Sequence, residues 1–123
     1  MKRLSSLGTL RNKADRLTQI EGKRRYSKCL ICGKPNQVLH HFVPKSVSSN
    51  LRYDWENLIP LCNGCHMRLH QSGDPDYEQR IIKARGGSEW YEKLRKRGRE
   101  IIKVNREYFT KVIEKLTGDN EVA

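Results

Sequence analysis

No apolar run approaches the roughly 18 residues that a membrane-spanning helix requires, so no membrane partner is expected. The 123-residue chain also lacks internal repeats, low-complexity tracts and any clear linker. Aromatic residues make up only 7% and apolar residues only 36%, which allows one domain with a small core. Such a domain, where part of it is irregular, commonly needs a metal or disulfide staple. The stretch from Met1 to Gly8 has no apolar segment of a secretory signal, so a cytoplasmic, reducing setting is expected. There the four cysteines are better metal ligands than disulfides. Acids are scarce as well: 14 Asp+Glu stand against 25 Lys+Arg, a net charge of +11. That excess calls for a polyanionic partner, most simply nucleic acid.

The charge is unevenly spread. Residues 1–28 hold nine Lys/Arg and two acids, residues 29–75 four and three, and residues 76–123 twelve and nine. Every cysteine and histidine lies in the nearly neutral middle. The expected organisation is therefore a basic arm or helix over 1–25, a chemical core over 26–72, and a C-terminal helical region over 73–123 packed on that core. In the arm, Leu10, Ala14, Leu17 and Ile20 form a weak helical stripe with Thr9 as a cap. A basic helix docking on phosphates is preferred over a solvated tail.

Gly33-Lys34-Pro35-Asn36 breaks the chain before Val38-Leu39-His40-His41-Phe42-Val43, which reads as a short strand stopped by Pro44. A polar loop follows to Trp55, then a second extended piece from Asn57 to Leu61. A helix opening near Asn63 should carry Met67, Leu69 and two histidines until Gly73. Asp74 and Pro75 suit an N-cap and first turn of a helix ending at Gly86-Gly87. Ser88 is the expected cap of a last helix running from Trp90 through Leu94, Ile101, Val104, Tyr108 and Val112 to Leu116, with Gly98 as a kink. The fold class is thus α+β.

Cys29 and Cys32 have two residues between them, as do Cys62 and Cys65, and 29 residues separate Cys32 from Cys62. Each pair can form a knuckle, and two knuckles complete a closed tetrahedral thiolate site, which is structural zinc rather than a catalytic ion. His40 and His41 point to opposite faces of a strand and cannot share a role. His66 and His70 are four apart on a helix, share a face, and can grip one ion.

These residues together, with Trp55-Glu56-Asn57-Leu58-Ile59-Pro60-Leu61 leading into Cys62, resemble the HNH endonuclease family, the ββα-metal finger nucleases. The resemblance covers about residues 26–72. It implies that His41 is the general base, that Asn57 braces the loop and orients that base or itself touches the ion, and that His66 is a ligand of a catalytic divalent metal. His40 stands where many members have Asp, also as a ligand, and His70 resembles the additional ligand of colicin-type members. Leu51-Arg52-Tyr53-Asp54, Tyr77, Ile81-Ile82, Gly86-Gly87 and the run from Trp90 to Leu94 carry a weaker resemblance to the phage NinG (Rap) recombination nucleases.

The function implied is hydrolysis of DNA phosphodiester bonds by nicking, leaving 5′-phosphate and 3′-hydroxyl ends, on duplex or branched, recombination-type DNA in a phage's bacterial host. A neutral histidine can take a proton from water near neutral pH. An ion bound by imidazoles keeps its charge for the phosphate, and imidazole favours Mn, Ni, Co or Zn over Mg. One site per chain cuts one strand, so paired cuts would need a homodimer. Removing the basic arm is expected to weaken DNA affinity while mostly keeping catalysis at saturating DNA. The rivals are a non-catalytic zinc module that binds nucleic acid, which leaves the histidines idle, and an RNA-cleaving HNH nuclease.

Overall fold

The computed structural model describes residues 5–72 and 75–118. Among the described residues, five helices accompany one two-stranded antiparallel sheet, an α+β arrangement. No helix among the described residues is long and apolar enough to cross a membrane.

Helix α1 runs from Leu7 to Arg25, capped by Ser6, whose hydroxyl accepts from the Thr9 amide at 3.1 Å. The cap thus lies three residues before the expected Thr9, because a side-chain oxygen there satisfies an otherwise orphaned first-turn donor. Ala14, Thr18 and Gly22 form its buried face, whereas Ile20 is 58% exposed and lies outside the stripe assigned to it. Lys23, Arg24 and Arg25 in the last turn suit the negative end of the helix dipole.

This helix is not a detachable arm. Gly22 lies against Leu39, where any Cβ would overlap the leucine side chain. Gln19 imitates a neighbouring strand: its Nε2 donates to the Leu39 carbonyl at 3.3 Å and its Oε1 accepts from the Leu39 amide at 3.0 Å. Loss of residues 1–25 would therefore also remove these contacts with Leu39, beyond the phosphate contacts expected of a basic arm.

Strand β1 spans Val38–His41 and pairs with β2, Leu58–Leu61, in the register Val38↔Leu61, Leu39↔Pro60, His40↔Ile59 and His41↔Leu58. It stops two residues short of the expected Val43. The Phe42 amide instead donates to the Asn57 carbonyl, and the Val43 amide to the Asn57 side chain. Pro60 sits on the side of β2 away from the ladder's needs, and its carbonyl accepts from the Leu30 amide of the first knuckle at 2.8 Å.

Helix α2, Asn63–Ser72, follows, its first amide donating to Gln37 Oε1 at 2.9 Å. Met67 on it is 54% exposed and packs no core. Helix α3, Pro75–Arg85, and helix α4, Ser88–Gly98, then form a hairpin through Gly86 and Gly87. The expected ends at Gly73 and Asp74 lie outside the described residues. Gly87, at φ +77°, takes the N-cap position instead of Ser88. A left-handed backbone favours glycine there, and its carbonyl already accepts from Tyr91.

The long final helix is two helices. After Gly98 the chain is irregular until Asn105 caps α5, Arg106–Thr117. Loop side chains take the last carbonyls of α4: Ser48 Oγ donates to Gly98 and Asn50 Nδ2 to Arg97, at 2.7 and 2.6 Å. Ile101, 99% exposed, and Val104 belong to neither helix.

Two apolar clusters result. The larger joins Val43, Leu51, Ile59, Leu61, Ile81, Trp90 and Leu94 with three of the cysteines. The smaller joins Ala14 of α1 to Phe109 and Ile113 of α5. Burial of a residue such as Phe109 is worth about 2–3 kcal/mol, so α5 clamps the basic helix in place.

Candidate active site

The sheet, its connecting loop and α2 bring the chemistry-bearing residues together. Cys29 and Cys32 lie in the turn before β1, and Cys62 and Cys65 lie at the junction of β2 with α2. Their four sulfurs are within 4.8 Å of one another, and none is in a disulfide. Cys32 and Cys62 Sγ are 3.6 Å apart. An ion with Zn–S bonds of about 2.3 Å would set tetrahedral sulfur spacings of about 3.8 Å. The four thiols therefore fit zinc in both chemistry and spacing. The Cys65 amide, 3.4 Å from Cys62 Sγ, helps lower the Cys62 thiol to about 7, while burial and the facing sulfurs push Cys65 up. Such a set exists comfortably as thiolates only around a cation.

β1 sends adjacent histidines in different directions. His40, with His66 and His70 from α2, forms a second cluster whose ring nitrogens lie within 4.8 Å of each other. His66 and His70 Nε2 are 3.0 Å apart, and the His40 ring lies 5.3 and 5.2 Å from theirs. His70 thus lies beside the two other histidines, and the three could hold one ion. Burial, and then the neighbouring rings, lowers His40 to about 3; the same causes lower His66. Both shifts favour the neutral rings of His40 and His66, which present lone pairs, the state a metal requires.

His41 turns toward the loop, where its Nε2 lies 2.9 Å from the Arg52 carbonyl oxygen. A carbonyl can only accept, so Nε2 carries the proton and Nδ1 keeps its lone pair. Burial is the main cause of its lowered pKa, which favours the neutral ring. Nδ1 has no hydrogen-bond partner among the described residues.

Asn57 is fully buried and engages both ends of its amide. Its Oδ1 accepts from the Val43 amide at 2.7 Å, while Nδ2 donates to the Val43 and Leu51 carbonyls at 3.1 and 3.2 Å. It ties the two ends of the loop together, and with no exposed surface it is not open to an ion. On the outer side, Trp90 Nε1 donates to Glu56, Arg97 pairs with Asp54 at 2.8 Å, and Arg85 donates to the Leu58 carbonyl at 2.7 Å.

Several supports of the site were not legible from motif spacing. Asp15 pairs with Arg52 through both carboxylate oxygens, at 2.9 and 2.6 Å, and accepts from the Tyr53 hydroxyl at 2.8 Å. One signal was available: Asp15 is one of only two acids in the first 28 residues. Gln19 carried none, because its role depends on meeting Leu39 across 20 residues.

The HNH endonuclease family model matches residues 29–72, from the first knuckle cysteine to the end of α2. A mitochondrial DNA mismatch repair protein mutS homolog from Sarcophyton glaucum is 38% identical over 48 residues, which cover 36% of this chain and 5% of that protein. No solved structure matches. α1 and the last three helices lie outside the family match, and no comparison shows the expected resemblance to the phage recombination group.

Proposed function

We propose that this chain is a metal-dependent HNH endonuclease that nicks DNA, with His41 activating the attacking water. The observation that carries the proposal is the convergence of His40, His66 and His70 next to a histidine whose tautomer is set by a carbonyl. Structural zinc at four cysteines does not account for these rings, so a binding module without catalysis leaves them unexplained. Through Nδ1, neutral His41 takes a proton from water near neutral pH. His40, His66 and His70 would hold a divalent ion, whose chemistry is to offset charge on the phosphate and the departing 3′ oxygen. Asn57 holds the ends of the loop so that His41 keeps its direction. Exposed Arg11, Lys13, Arg16 and Lys23 on α1 support phosphate contacts that carry affinity without sequence information. Branched, recombination-type DNA is the more specific substrate proposed, and paired cuts would call for two chains.

Nicking of supercoiled plasmid, and of a four-way junction against plain duplex, tests this with Mg, Mn and Ni. The expected outcome is stronger cutting with Mn or Ni than with Mg, and about 10²- to 10⁴-fold slower cutting by His41→Ala. Preference for the junction would support the branched substrate. DNA binding without cutting by the wild type would reject the DNA nuclease and direct the test to RNA or to a zinc binding module.

A further inference from the structure

We infer that Asp15 is a positioning residue for His41, acting through the backbone of Arg52. The inference rests on the role proposed above for His41. Arg52 ends the short 3-10 turn Ser49–Leu51 within the loop between the strands. Its carbonyl receives the His41 Nε2 proton at 2.9 Å, so wherever that carbonyl points, the ring follows. Asn57 holds the neighbouring Leu51 carbonyl and the Arg52 amide donates to Ser49 within the loop, but the Arg52 side chain is held from outside it. The Asp15 carboxylate grips both its Nε and Nη2, a planar bidentate pair that fixes orientation as well as distance. The same carboxylate accepts from Tyr53, so two successive loop residues are anchored on one α1 side chain.

The anchor is itself rigid. Ala14, next to Asp15, is fully buried against α5. The Tyr53 ring lies 6.4 Å from that of Phe109, edge to face, and 5.9 Å from that of Tyr108. The brace therefore ties the HNH-matched segment to α1 and α5, both outside it. Nothing in the zinc knuckles or the histidine cluster supplies this restraint.

Asp15→Asn keeps the shape of the side chain but loses the charge-assisted grip. The expected result is about 10- to 100-fold slower turnover, with KM for plasmid DNA and zinc content unchanged. Ring-nitrogen NMR should show His41 shifting from one tautomer, protonated at Nε2, to a mixture. Asp15→Glu should recover part of the turnover. Tyr53→Phe, which removes one of the three bonds and no charge, should move both readouts in the same direction but less, and it serves if Asp15→Asn does not fold. Wild-type turnover in Asp15→Asn, or slower turnover with an unchanged His41 spectrum, would overturn the inference. If His41→Ala itself cuts normally, the proposed base fails instead, whatever Asp15 does.

Discussion

The chain builds two ligand clusters that share the α2 helix, and they differ in nearly every physical respect. Three of the four cysteines are buried in the main apolar cluster, and the four sulfurs can close a coordination sphere. The three histidines are half-buried to exposed, and three nitrogens leave positions for other oxygens around an ion. Adjacent residues, Cys65 and His66, thus face opposite tasks. Closed sulfur coordination inside a core stabilises the fold, whereas an open imidazole face at its edge can meet a phosphate. One residue step along the helix is enough to separate the two clusters.

The sharpest way to break this contrast is Cys62→Ser. Apparent zinc binding by such sites is worth about 10–16 kcal/mol at neutral pH, so loss of one thiolate should unfold the domain. Circular dichroism and zinc analysis check this, and a folded, zinc-free variant would remove the staple. His70→Ala should do the reverse: circular dichroism and the four-cysteine zinc stay as in the wild type, while Mn affinity by calorimetry falls. A normal Mn isotherm would take His70 out of the cluster.

A smaller effect distinguishes the clusters by pH. His40 is held neutral by the fold down to about 3, while an unfolded histidine protonates near pH 6.5. Its contribution to stability is therefore complete above the unfolded value and declines as pH falls toward the folded one. With no ion added beyond zinc, thermal melts from pH 7.5 to 5.5 should fall more steeply for wild type than for His40→Gln. Equal slopes would show that burial does not hold this ring neutral.

Legibility followed locality. The cysteine knuckles, the opposed directions of His40 and His41, and the shared face of His66 and His70 all depend on spacings of one to four residues. Strand and helix geometry set such relations directly. The early end of β1 was hidden because Asn57, 14 residues further on, takes the Val43 amide. The break after Gly98 was hidden for the same kind of reason: Ser48 and Asn50 donate to the carbonyls that a continuing helix would have used. Hydrophobic periodicity continued across that break, through Ile101 and Val104, although both side chains are exposed.

The amino-acid sequence alone determined the ligand chemistry: four thiols at knuckle spacing, a helical histidine pair, and a basic excess suited to a polyanion. Only tertiary structure decided what orients that chemistry. Asp15 meets Arg52 across 37 residues, and Gln19 meets Leu39 across 20. A polar side chain gains little from one hydrogen bond until the fold removes competing water and brings its partner within reach. For that reason the basic first helix, which the sequence presents as a helix docking on phosphates, also braces β1 and the loop beside His41.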